Sequence, residues 1–210
     1  MKNLNLQKTE EHPLFEYLLL LSPTPAISEE INNFKALFNE NYGCSNAVKS
    51  KPHLTLIHFF QVESAEFRII NCFDKFAKFV QPIPIELNGF GQFPSHTIFV
   101  KPVEPDAIVQ LVKDMRTKFQ RLLKHTVSIK PDFITEPHIT ISRSMTEAQF
   151  ENAWAVWEKE TYSASFVAHE MTLLRREVAT ADFKPLGKYK AIQHFSFGSK
   201  VRDTQLVLAL

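Results

Sequence analysis

Glycine and cysteine are scarce in this chain, and net charge is nearly absent. Only 5 of its 210 residues are glycine, and they build neither a glycine-rich phosphate loop nor a serine nucleophile elbow. The two cysteines, Cys44 and Cys72, lack metal-ligand spacing and make a poor disulfide framework. Reduced thiols fit a cytoplasmic protein. The formal net charge is +1, whereas a protein that grips long nucleic acid through many phosphates needs a basic surplus. A small or terminal ligand with one phosphate needs only a local site. The apolar run Leu18–Leu21 is far short of the ~20 residues that span a bilayer. The segment before it mixes Lys8, Glu10, Glu11 and Glu16 and carries no clear signal-peptide cleavage pattern. It reads as a polar tail ahead of a buried strand, and no membrane partner is expected.

Phenylalanine is plentiful, with 19 residues, in a chain that is 44% hydrophobic and 22% charged. That balance is ordinary for a globular protein and sufficient for a core without staples. The length suits one domain made of two small lobes.

Apolar periodicity sets out the elements. Phe15–Ser22 is a compact apolar run closed by Ser-Pro-Thr-Pro and reads as a strand. Ser28 opens a helix with Ile31, Phe34, Leu37 and Phe38 on one face, and Gly43 ends it. His53–Phe60 follows Pro52 as a strand. Ser64 can cap a helix striped by Phe67, Ile70, Phe73, Phe76, Ala77 and Val80, which Pro82 and Pro84 stop. Ile83–Phe90 is a strand whose prolines suggest an edge or a starting position. Gly89, Gly91 and Pro94 make a turn before the strand His96–Lys101. A helix runs from about Asp106 to Leu123, and His138–Arg143 is a strand behind Pro137. Thr146 and Glu147 start a short helix carrying Phe150, Trp154 and Trp157. Ser163–Leu174 and Lys190–Phe197 read as strands, and Gln205–Leu210 is either a last strand or a docked end.

The order strand, helix, strand, helix, strand occurs twice, with matching starts offset by 80 to 85 residues. Such an even offset suggests an internal duplication. The expected fold is α+β and bilobal, with lobes at about 15–91 and 96–197. Duplicated lobes packed about an approximate twofold axis would place equivalent elements face to face.

Two short strings fall at equivalent places in that repeat. One is Pro52-His53-Leu54-Thr55-Leu56, the other Pro137-His138-Ile139-Thr140-Ile141. In a strand, residues i and i+2 share a face. His53 and Thr55 therefore point one way, with Leu54 and Leu56 behind them, and His138 and Thr140 do the same. Lobes related by a twofold axis would bring both faces to one groove. That constellation suits phosphodiester cleavage. One neutral imidazole takes a proton from the nucleophile, and an imidazolium gives one to the departing oxygen. Threonine hydroxyls can donate to the non-bridging oxygens. The scheme requires neither metal nor cofactor.

These paired strings resemble the signature of the 2H phosphoesterase superfamily, which includes the bacterial 2′–5′ RNA ligase and cyclic phosphodiesterase proteins. The resemblance runs from about Phe15 to Phe197. It implies a bilobal α+β fold with two antiparallel sheets lining a central cleft and helices on the outside, catalytic roles for His53 and His138, phosphate binding by Thr55 and Thr140, and a metal-free mechanism. Arg143 completes a Pro-His-x-Thr-x-x-Arg pattern and is a further candidate for the substrate, although strict alternation turns it away from His138. Relatives often carry a basic residue just after the first motif; here Ile57 and His58 follow it.

The implied partner is a nucleotide or RNA-end phosphodiester, and a monomer is favoured. A 2′,3′-cyclic phosphate and a 2′–5′ linkage are both candidate substrates. Ligation at the same site is an alternative, as is a nucleotide or RNA binder without turnover. The other histidines have no matched partner, and a zinc site would need three or four ligands converging. By alternation His58 lies opposite His53. His96 is placed to approach the cleft, and Phe93 is a candidate to stack a base. Lys130, Arg175, Arg176, Lys188 and Lys190 could rim a nucleotide site.

Overall fold

The computed structural model describes residues 13–125 and 129–198. The expected polar N-terminal tail and Gln205–Leu210 lie outside the described residues. In chain order the elements are β1 (Leu14–Leu21), α1 (Pro25–Tyr42), β2 (Leu54–Val62), α2 (Glu66–Ala77), β3 (Ile83–Phe93), β4 (Thr97–Pro102) and α3 (Asp106–Leu123). There follow β5 (Asp132–Phe133), β6 (Ile139–Ser142), α4 (Glu147–Trp157), β7 (Ser163–Ala168), β8 (Glu170–Val178) and β9 (Lys190–Ser196). They form two antiparallel sheets, one ordered β5-β2-β1-β8-β9 and the other β6-β4-β3-β7.

The helix ends follow local chemistry. The Ser-Pro-Thr-Pro segment is no mere turn. Thr24 is the N-cap of α1, its hydroxyl accepting from the Ile27 N–H at 3.5 Å, and Pro25 takes the first turn, where a missing N–H costs nothing. Gly43 closes α1 at φ 68°, its N–H bonding the Asn39 carbonyl, a conformation glycine adopts without strain. Thr146 and Gln149 form a reciprocal capping box on α4. Ser64 does not cap α2; it lies in a 3-10 turn over Glu63–Ala65. This shifts the buried stripe of α2 to Ile69, Phe73, Phe76 and Ala77, and Phe67 is left 78% exposed.

Helices α2 and α3 pack on the β1-containing sheet, and α1 packs on β6 of the other. Against the β1-containing sheet, rings from Phe59, Phe73, Phe119 and Phe195 interlock, with Phe73 at the centre and centroid separations of 5.1 to 6.4 Å. Behind the β3-containing sheet, Trp157 meets Phe90 at 4.8 Å and Phe38 at 5.3 Å. Edge-to-face packing of this kind stabilises beyond area burial alone. Many of the phenylalanines are thus buried in two layers.

Chain halves and sheets do not coincide. β3, from the first half, pairs with β4 and β7, while β8, from the second half, pairs with β1. Helix α1 joins two strands of one sheet yet lies against β6 of the other; α3 crosses from β4 of the second sheet to β5 of the first and lies against β2 and β5. The expected single strand Ser163–Leu174 is two strands in different sheets, with His169 the one residue between them. Its carbonyl accepts from the Phe197 N–H at 2.8 Å. Nor do Gly89, Gly91 and Pro94 form one turn. β3 continues to Phe93, and Gly89 at φ 66° relieves a register irregularity within it. β3 is an interior strand, and Pro84 sits at its second position.

Candidate active site

His53 and His138 stand one residue ahead of β2 and β6, each behind a buried proline, Pro52 or Pro137. Their imidazoles are held in the same way. The Nδ1 of His53 is 2.7 Å from the Lys51 carbonyl, and that of His138 is 2.8 Å from the Glu136 carbonyl. A carbonyl can only accept, so each Nδ1 carries the hydrogen. In the neutral ring each Nε2 then has a free lone pair. Two carbonyls, each two residues upstream, therefore select one tautomer at both positions.

Each motif contains a bulge. β1 pairs Leu19 with Ile57 and Leu20 with Thr55, so Leu56 has no opposite number. β4 pairs Ile98 with Ser142 and Phe99 with Thr140, so Ile141 is skipped. An extra residue reverses the phase of a strand. After Thr55, both Leu56 and Ile57 point inward, and His58 returns to the face of Thr55. After Thr140, Ile141 and Ser142 are buried and Arg143 emerges exposed. This corrects the expectation for both residues: the bulges put His58 on the same face as Thr55 and Arg143 on the same face as Thr140, from which its charge reaches His53. The Arg143 charge is felt by His53, Lys35 and Tyr189.

Both imidazoles are pushed toward the neutral form. Burial lowers the His53 pKa, the Lys51 carbonyl opposes this, and the charges of Lys35, Arg143 and His138 lower it further. Burial also lowers that of His138, opposed by the Glu136 carbonyl and carboxylate. His138 is among the charges that act on His53, which places the two rings within electrostatic reach. Cations surround the first and a carboxylate attends the second. Thr55 and Thr140 are half-buried beside them. Among the described residues neither hydroxyl is committed to a hydrogen bond, which leaves both able to donate to a ligand.

Aromatic rings brace the second histidine. Phe93 meets His138 edge-on at 4.8 Å, and Phe99 lies 5.2 Å away. Phe99 fits there because Gly91 has no Cβ; one built at that position would come within 2.5 Å of the Phe99 ring. His96 is otherwise engaged: its Nδ1 bonds the Met145 carbonyl at 3.2 Å and its ring stacks on Phe150.

Farther along the His53 face lies a polar cluster. Glu16 of β1, opposite Phe60 and Arg176, accepts from His58 Nε2 at 2.8 Å and Arg176 Nε at 2.5 Å. Burial would raise its carboxyl, but hydrogen bonds from His58, Arg176 and Tyr189 outweigh that and hold it at about 2. Arg176 also covers the Tyr189 ring at 4.3 Å, and Phe183, at φ 60°, packs on Phe60. Arg175 points to the other side of the sheet, where it pairs with Glu66 and Glu63.

Sequence reading overlooked Lys35. It lies on the buried side of α1, 2% exposed, with Nζ donating to the Ser50 carbonyl at 2.7 Å. A lysine in a helix that also bears acidic and amide side chains gives no sign of burial. The helical position between Ile31 and Phe38, both of which are buried, was the available clue.

Solved structures share this arrangement of strands and helices. The apo form of Escherichia coli LigT matches with a TM-score of 0.62 over 88% of this chain and 98% of its own, at 18% identity. TT0787 of Thermus thermophilus gives 0.62 over 88% and 99%, at 16% identity. The fold is therefore that of LigT. Among curated proteins, "Putative phosphoesterase GK0864" of Geobacillus kaustophilus is 23% identical over 142 residues, covering 67% of this chain and 76% of the relative. The model of the 2′-5′ RNA ligase superfamily matches residues 23–180, and the chain belongs to that superfamily, the 2H phosphoesterases.

Proposed function

We propose that this protein is a phosphodiesterase that opens 2′,3′-cyclic phosphates, or cleaves a 2′–5′ linkage, of RNA ends or nucleotides, with His53 and His138 as the acid–base pair. The observation that carries this reading is the matched seating of the two rings. Each Nδ1–H is tied to the carbonyl two residues upstream, so each Nε2 is left to take or give a proton. In hydrolysis one Nε2 accepts a proton from water as its oxygen attacks phosphorus. The other, protonated, donates to the ribose oxygen as the P–O bond breaks. One proton is taken up and one released, so the pair ends in the reverse protonation state and resets through solvent. Each group contributes typically ~10²–10⁴-fold. Thr55, Thr140 and Arg143 hold the non-bridging oxygens, where charge builds. A structure of LigT complexed with 3′-AMP supports a nucleotide as the ligand class.

The test is turnover of 2′,3′-cyclic nucleotides and 2′–5′ oligoadenylates by the wild type, His53→Ala and His138→Ala. Each substitution should cut kcat by at least ~10²-fold with the fold retained by circular dichroism, and a chelator should leave the wild-type rate unchanged. Full activity in either variant would defeat the reading.

A further inference from the structure

We propose that Lys35 is a positioning residue of the two-histidine site: its buried ammonium clamps the Ser50–Pro52 segment that delivers His53 and sets a positive charge near that imidazole. The proposal rests on the acid–base reading above and adds a residue to it.

Geometry gives the first half of the argument. Lys35 Nζ donates to the Ser50 carbonyl at 2.7 Å and approaches the Ser50 hydroxyl at 3.4 Å. The next carbonyl along, that of Lys51, accepts the His53 Nδ1–H. The clamp thus acts one peptide away from the bond that selects the His53 tautomer. Ser50 also turns its hydroxyl onto the Ala47 carbonyl at 2.8 Å, and Asn46 donates to the Arg143 carbonyl at 3.3 Å. The segment from Asn46 to Pro52 is therefore fastened on one side to α1 and on the other to the end of β6.

Charge gives the second half. An ammonium removed from water is costly unless paired, yet among the described residues no carboxylate lies within ion-pair distance of Lys35. The charged or titratable groups that face it are Arg143, from the end of β6, and His53, at the start of β2. Both are cationic or become so. Burial, reinforced by Arg143, lowers the Lys35 pKa to about 8. A lysine needed only for packing would be better replaced by methionine. Its charge is retained where an anion would compensate it, namely a phosphate lying between the histidines. Without that anion, the charge adds to burial in holding His53 in its neutral form.

The test uses the full chain as wild type, Lys35→Met and Lys35→Arg, with two readouts. One is the pH profile of kcat/KM on a 2′,3′-cyclic nucleotide. The other is the NMR titration of the His53 Cε1–H, assigned by its absence in His53→Gln. In Lys35→Met the His53 titration and the acid limb should both move to higher pH, and kcat should fall. Lys35→Arg should restore the wild-type titration. Coincident His53 titrations in wild type and Lys35→Met would overturn the proposal, even with a lower Tm, because a purely structural lysine predicts that pattern. Should Lys35→Met fail to fold, the wild type decides: its His53 signal should show a second inflection near pH 8, as Lys35 loses its proton, and a single inflection overturns the proposal. The NMR arm needs no turnover, so failure of the enzymatic reading leaves this judgement intact.

Discussion

Replacing Glu16 with glutamine should remove a large share of the stability that the wild type loses in acid. The Glu16 carboxyl is 8% exposed and titrates at about 2 in the fold, against 4.5 for a free side chain. Its folded pKa is depressed, so its contribution is present above pH 4.5 and disappears as pH falls toward 2. The difference of about 2.5 units corresponds to roughly 3 kcal/mol. Urea unfolding of the wild type and Glu16→Gln at intervals from pH 6.5 to 2.5 measures this. Above pH 4.5 the wild type should exceed the variant by ~3 kcal/mol or more, since the variant leaves Arg176 without its carboxylate. Below pH 4.5 the two curves should converge. Parallel curves across the whole range would refute the reasoning, because they would mean that Glu16 is no better bonded folded than unfolded. Since Arg176 and Tyr189 share this carboxylate, hydrogen exchange should also quicken at Tyr189 in the variant.

Gly91→Ala should cost ~1–3 kcal/mol by thermal unfolding, as overpacking does, and should lower kcat as well, because the Phe99 ring it displaces supports His138; an active variant of unchanged Tm would contradict the contact. Both histidines are held below the ordinary 6.5, so the acid limb of kcat/KM should lie below pH 6.5, and a midpoint above it counts against their burial. The same depression means that the unfolded chain binds more protons than the folded one just below pH 6.5, where stability should fall with pH. Thr146→Ala removes the capping box of α4 and should lower the urea midpoint by an amount worth ~1 kcal/mol.

Much of the architecture was legible in the sequence because apolar spacing dominates it. α3 spans the expected Asp106–Leu123, and Gly43 ends α1. Errors arose where one residue changes the phase or the partner. A bulge after Thr55 and another after Thr140 reversed the sides assigned to His58 and Arg143, and bulges follow from pairing, which alternation within one strand does not encode. β7 and β8 read as one run because the residue that separates them, His169, is neither glycine nor proline. The Phe67 stripe slipped because α2 starts after a 3-10 turn instead of at Ser64. The His-x-Thr pairs were visible because they recur. Lys35 occurs once, and only tertiary packing makes it part of the site.

The exchange of β3 and β8 between sheets has a kinetic corollary. β1 lacks one neighbour until residue 178 exists, so a nascent chain cannot finish its amino-terminal layer and then add a second. Long-range pairings of this sort slow folding and make it concerted. A cut between Phe93 and Thr97 should accordingly yield two fragments that are unstructured apart and regain order, and their shared histidine pair, only on mixing.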